Sequence, residues 1–282
     1  MSTADDRLAA ASAPRETTSA DSLADRLPAL GADWSLARTR ELLRQRRWTW
    51  ARAEILIAEV AVDRVVSRAW LPPALALPAA PARATVFVAH YPDTAMGFAY
   101  REAGVLLHAT LRRKPVLHCA WMVVDDDTAL ILGRELLGFP KKLAWIELET
   151  RERRPRGAVE RRGARVLAMD ALCAPATAAP RAAFPFPIVN LRGIPGVLPQ
   201  WLIAMRPNER CHGCEAVTFR ITSEASACDP LATLGLAGDH AGHRLIVDLG
   251  HPDAPGASRV PAVPTSWLGP TWLWKAYPFR AW

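Results

Sequence analysis

Short apolar runs alternate along the chain with proline-rich or charged breaks, and most runs have the length of a strand rather than a helix. Residues 54–62, 85–90, 104–111 and 116–124 are dominated by Val, Ile, Leu, Phe and Ala, the composition of extended segments packed on one or both faces. Residues 143–149 alternate, with Ala144, Ile146 and Leu148 on one face. Residues 151–165 form a charged hairpin and 165–169 its returning strand, and further strands fall at 188–192, 201–205 and 216–222. Two helices stand out. One covers 34–47, with Asp33 as its N-cap and Leu36, Leu42 and Leu43 on one side; the other is short. It follows the cap oxygens of Asp125, Asp126 and Asp127 and is closed by Gly138 as its C′ residue, with Pro140 just beyond. Residues 71–81 hold too many prolines for a helix or a central strand, and the Ala/Pro-rich 174–187 is expected to cross the surface. Many short strands with few helices predict a mainly β (α+β) protein, a closed antiparallel barrel-like sheet with a few short helices.

At 282 residues, half of them hydrophobic, the chain can bury a sizeable core. Residues 1–30, rich in Ala, Ser, Asp and Arg, read as a loosely attached tail, and 31–282 as a single domain. The domain ends in a Trp-rich extension over about 237–282, where Trp267, Trp272, Trp274, Tyr277, Phe279 and Trp282 crowd together. Aromatics that dense call for burial or an interface, so a homo-oligomer is expected. The N-terminal stretch lacks the apolar run of a signal peptide and is too acidic for a transit peptide, and no run spans a membrane; the expectation is a cytoplasmic protein. The net charge of +7 sits in arginine clusters unaccompanied by any nucleic-acid motif, and an anionic substrate or an acidic partner protein suits it better than nucleic acid. Cys211-His212-Gly213-Cys214 opens like a zinc site, but no second ligand pair follows at suitable spacing. The five cysteines therefore read as reduced thiols, with no metal and no cofactor.

Lysine usage changes the picture. Only Lys114, Lys141, Lys142 and Lys275 are lysines among 35 basic residues; arginine takes the rest. Two adjacent lysines after Gly138-Phe139-Pro140 are either an exposed turn pair or a position that guanidinium cannot fill, since a buried amine can become neutral and nucleophilic. If the strand after the proline is regular, Lys141 and Lys142 point to opposite faces.

Gly133-Arg134-Glu135-Leu136-Leu137-Gly138-Phe139-Pro140-Lys141-Lys142-Leu143 resembles the active-site signature of the acetoacetate decarboxylase family. The stretch from Asp93 to Tyr100-Arg101-Glu102 resembles that family's segment ending in Tyr-x-Glu, and Asp63 through Leu71-Pro72-Pro73 is similar to its Asp…Val-Pro stretch. The likeness covers roughly residues 50–225. It implies a barrel-like β enclosure around Lys141 as the imine-forming lysine, Lys142 as a neighbouring charge, Glu102 as the polar partner that handles protons, and Arg52 as the arginine that meets a substrate carboxylate. One acidic position of the family is Phe87 here, which removes a charge from the expected pocket. Arg134 and Glu135 read as salt-bridge partners on the short helix, and Asn190 and Arg192 as residues that could reach the site from a later strand.

By this resemblance the chain is a Schiff-base lyase that decarboxylates a β-keto acid. The alternatives are an aldolase–dehydratase acting on a larger 2-keto acid, and a non-catalytic binding protein on the same fold. A lysine amine near 10.4 must fall by about three units to be half neutral at pH 7, roughly 4 kcal/mol. Because Lys142 is expected on the other face, desolvation rather than the adjacent charge should supply most of this. Phe98, Met122, Phe139, Leu143 and Trp145 are the expected apolar walls.

Overall fold

The computed structural model describes residues 49–94, 97–193, 200–250 and 258–259. The N-terminal tail, the helix expected over 34–47 and the Trp-rich stretch beyond 260 lie outside the described residues. In chain order the elements are β1 (Trp50–Ala61), α1 (Arg64–Trp70), β2 (Arg83–Tyr91), β3 (Asp93–Thr94), β4 (Tyr100–Leu111), β5 (Lys114–Val124), α2 (Asp127–Leu137) and β6 (Lys141–Leu143). They continue with β7 (Trp145–Glu149), β8 (Arg156–Arg161), β9 (Ala164–Ala171), β10 (Ala176–Thr177), β11 (Ile188–Arg192), β12 (Trp201–Met205), β13 (Glu209–Thr222), β14 (Gly238–Leu249) and β15 (Ser258–Arg259).

All fifteen strands belong to one sheet whose main path runs β15-β12-β11-β5-β4-β2-β1-β14-β13-β9-β8-β7. The sheet is not closed, contrary to the barrel expected from the sequence, although it is mainly β with two α-helices among the described residues. It curls until β7 packs over β2 and β4 without pairing to them, and Gly157 on β8 lets that layer descend onto Val88, where an added Cβ would sit 3.0 Å from the valine side chain. Closure fails where β6, hydrogen-bonded to β5, gives way at Ala144 to β7, which pairs with β8. Nor is the sheet purely antiparallel. β5-α2-β6 is a strand–helix–strand crossover, the connection that two parallel neighbours require, and β11 also runs parallel to β5.

Each face of the curled sheet has its own core. On the concave side Leu56, Val86, Val88, Val105, Trp121, Val123, Ile146 and Leu167 interdigitate; on the other side lie Ile55, Ile57, Phe87, Tyr91, Tyr100, Met122 and Phe139. The 174–187 crossing is largely exposed up to residue 182, as expected, and turns inward at Ala183 and Phe184. Glu209 accepts hydrogen bonds from the backbone N–H groups of Ala183 (2.5 Å) and Phe184 (2.8 Å), and this seats the Phe184 ring edge-on against Phe87 at 5.3 Å.

The largest departure from expectation is β14. In sequence, residues 237–249 read as the start of a terminal extension, yet β14 is a twelve-residue central strand, paired with β1 on one side and β13 on the other. Its two histidines, two glycines and two aspartates hide the usual apolar signature, because close neighbours rather than bulky side chains fill its surroundings. At Gly242 a Cβ would meet the Ile57 carbonyl oxygen and stand 2.8 Å from the Phe219 ring. Gly242→Ala is therefore expected to lower unfolding stability by about 1–3 kcal/mol, read as a shifted urea midpoint at unchanged slope.

Candidate active site

The site is assembled where the crossover returns to the sheet. Asp126 caps α2 by accepting the Ala129 N–H (2.8 Å), and Gly138 ends the helix in the left-handed conformation (φ 71°), its N–H bonded to Arg134 O. The Phe139 N–H bonds back to Gly133 O (3.1 Å), so the turn delivers Lys141 directly under the helix. Gly133 is what lets the lysine pass: a Cβ there would lie 2.6 Å from Lys141 Cε and 2.7 Å from Cδ. Arg134 Nη1 donates to the Lys141 carbonyl (3.5 Å).

On the strand, alternation separates the two lysines. Lys141 stands opposite Met122 in a row that continues through Gly104 and Phe87 to Ile57. Its ammonium lies 2.6 Å from Glu102 Oε2, both side chains nearly closed to solvent at 7 % and 8 % exposure. Tyr100 and Phe139 flank the same nitrogen, their ring centroids 5.4 and 5.8 Å away. Tyr100 is fixed by the Trp50 indole N–H (3.0 Å) and by the Tyr91 ring at 4.9 Å. Burial first, and then the Glu102 carboxylate, push both tyrosine hydroxyls well above their usual range, so both are neutral phenols.

Lys142 faces the opposite core. Its Nζ bonds Asp229 Oδ1 (3.2 Å), which also accepts the Trp121 indole N–H (2.9 Å), while Arg161 Nε lies 2.9 Å from Asp229 Oδ2. Two cations thus share one fully buried carboxylate. Burial, helped by Arg161 and opposed by Asp229, lowers the Lys142 ammonium from 10.5 to about 8.

Of the residues expected from the sequence, Lys141, Glu102, Met122, Phe87 and Phe139 share one face, and Phe98 borders it, its ring 6.3 Å from that of Tyr100. Besides Lys142, already placed on the other face, several do not join them. Arg52 is exposed at a β-bulge with φ 55°, its backbone N–H donating to Asp248 Oδ1 (2.9 Å). Trp145 is 67 % exposed and Leu143 48 %; both continue the Lys141 side of the chain but lie past the cover provided by α2 and the Phe139 turn. Asn190 donates to Leu137 O and accepts from the Cys119 N–H, each at 3.3 Å, and Arg192 donates to Leu136 O (3.4 Å), so both tie down the end of α2. Cys211 and Cys214 lie on β13, where His212 is held by Asp248 (2.6 Å). Among the described residues no cluster of His, Cys, Asp and Glu is arranged to hold a metal. Sequence reasoning missed Asp229, Arg161, Tyr91 and Trp50. Asp229 lies in the loop after β13 with no motif around it, whereas Tyr100 was within reach as the tyrosine of Tyr-x-Glu.

The fold and site together define a curled β-sheet protein of the acetoacetate decarboxylase type. The acetoacetate decarboxylase (ADC) family model matches residues 35–253, and the chain belongs to that family. An acetoacetate decarboxylase of Ralstonia nicotianae is 35 % identical over 97 residues, a match spanning 34 % of this chain and only 38 % of that protein. The structure of acetoacetate decarboxylase from Legionella pneumophila superposes with a TM-score of 0.67 at 20 % identity, over 77 % of this chain and 88 % of the other. That of the enduracididine biosynthesis enzyme MppR, complexed with the condensation product of pyruvate and imidazole 4-carboxaldehyde, gives 0.63 at 20 % identity over 75 % and 88 %. No helix among the described residues is long and apolar enough to cross a membrane.

The Lys142 arrangement has a measurable consequence. Its folded-state value lies below its unfolded one, so between about pH 8 and 10.5 the unfolded chain holds the extra proton and stability rises with pH. The stability of the wild type relative to Lys142→Met should climb by up to about 3 kcal/mol across that window and stay flat below it, measured by denaturant titration at each pH.

Proposed function

We propose that the chain is an imine-forming lyase that decarboxylates a β-keto acid, with Lys141 as nucleophile and Glu102 as its proton-handling partner. The observation that carries this reading is the buried Lys141–Glu102 contact at 2.6 Å on an apolar, aromatic-lined face. At that distance a proton can pass from the ammonium to the carboxylate with little movement, leaving a neutral amine that attacks the substrate carbonyl. The C–N bond forms, Glu102 returns its proton to the departing oxygen, and water leaves a protonated imine. Loss of CO2 sends the C–C electron pair into that iminium and gives an enamine. One proton from solvent, relayed through Glu102, then goes to the enamine carbon, and hydrolysis frees the ketone and the amine.

Lys142 has no direct part in this sequence. It is anchored on the other face by Asp229, and its contribution is to fix β6 against the concave core. The substrate carboxylate needs a cation that Arg52 supplies only if its side chain turns inward from its exposed position.

A second reading keeps the imine and changes its fate. Phe87, packed on Phe184 and under Gly104, makes the wall beyond Met122 apolar where the family resemblance expects an acid. The structural likeness to MppR is consistent with aldol condensation and dehydration on a 2-keto acid. In both readings the partner is a small keto acid.

Sodium borohydride added with acetoacetate or pyruvate should leave a mass adduct on Lys141, located by peptide mapping, and none in Lys141→Met. An unmodified Lys141 with every keto acid tried would sink both readings and leave the non-catalytic one. Release of CO2 separates decarboxylation from aldol chemistry. Turnover should fall by at least about a thousandfold in Lys141→Met but no more than about tenfold in Lys142→Met.

A further inference from the structure

The two rings beside Lys141 are placed to act on charge, not only to exclude water. Lys141 Nζ lies over Tyr100 at 5.4 Å and Phe139 at 5.8 Å from the ring centroids, both inside the ~6 Å range in which the negative face of an aromatic ring attracts a cation. Neither ring is free to turn away. Tyr100 is 5 % exposed and held by Trp50 and Tyr91; Phe139 is 6 % exposed and sits between the left-handed Gly138 and Pro140. The lysine stem is equally confined, since it runs over Gly133 with no room for even a methyl group.

What such a pair of rings contributes depends on the state of the nitrogen. An ammonium offers three N–H donors, one of which meets Glu102. Once Lys141 has formed a C=N bond, the nitrogen keeps its positive charge but only one N–H, so hydrogen bonding to the nitrogen is cut back while the charge persists. Attraction to a ring face requires no donor. It acts on the iminium as it does on the ammonium, and in a site closed to water it is stronger than at a surface.

We propose that Tyr100 and Phe139 are catalytic residues that stabilise the positive charge of the protonated imine on Lys141 through their ring faces. The inference rests on the imine-forming reading of Lys141. It assigns the Tyr of Tyr-x-Glu and the Phe of the Gly-Phe-Pro turn a task distinct from lining a pocket. Against the neutral amine and carbinolamine that precede it and the enamine that follows it, the rings favour the iminium, raising its fraction before CO2 leaves and its return when the enamine carbon takes up its proton. In both steps the nitrogen changes charge without changing place, which suits fixed π faces. The Tyr100 hydroxyl is not needed for this, being engaged by Trp50.

The test replaces Phe139 with mono-, di- and trifluorinated phenylalanine, and Tyr100 with phenylalanine and then the same series. Fluorination drains the negative ring face stepwise while nearly keeping its shape. The readout is the yield of borohydride-trapped Lys141 adduct with acetoacetate or pyruvate, at one pH and subsaturating substrate. Adduct yield should fall in graded order, about threefold to tenfold from phenylalanine to its trifluoro form at either position, at unchanged melting temperature. A flat series in a protein whose wild type traps normally would overturn the inference and leave the imine reading standing, since a purely steric role responds to shape and not to fluorine number. Absence of any wild-type adduct would overturn both.

Discussion

Two neighbouring side chains on an extended strand cannot enter the same pocket, and the rest of this site depends on that constraint. Lys141 and Lys142 leave β6 in opposite directions and are received by different cores. The first meets one carboxylate among aromatic rings; the second meets one carboxylate already shared with an arginine. Adjacent lysines in sequence thus become two unrelated electrostatic problems in space. For Lys142, burial is the largest influence, opposed by Asp229 and reinforced by Arg161.

Holding β6 in that position depends on close approach. The crossover helix lies directly on the Lys141 stem because residue 133 has no side chain, and the helix ends abruptly because residue 138 adopts φ 71°. Asn190 and Arg192 anchor the carbonyls of Leu136 and Leu137 at the last turn, so the helix end cannot lift from the sheet. On the far side, Gly104 lets the Phe87 ring lie flat across the row leading to Met122. Each of these contacts removes freedom from groups around the amine rather than touching it, which is how a fold prepares a reacting nitrogen.

Much of this was legible beforehand where the signal is local. The cap at Asp126, the stop at Gly138 and the alternation from Lys141 onward are properties of a few consecutive residues, and each appears as expected. The Tyr-x-Glu segment and the Gly-Phe-Pro-Lys-Lys turn carry their likeness in the same local way. The errors arise where placement depends on distant packing. Trp145 has the composition of a wall residue, but whether a face is covered depends on how far an eleven-residue helix extends over it. β14 was hidden because a central strand can be built from glycine, histidine and aspartate when its neighbours press close.

By itself the sequence determined the β-rich character, the helix–turn–strand that presents the lysine pair, and membership in a recognisable family, because short-range backbone preferences and contiguous motifs are written in consecutive residues. Only the tertiary structure decided that the sheet curls without closing, that Trp145 stays outside the site, and that Asp229, 87 residues further along, meets Lys142. Those outcomes depend on which strands become neighbours and which faces are buried, and the cost of leaving a charge unpaired in a dry core acts only once the chain has folded around it.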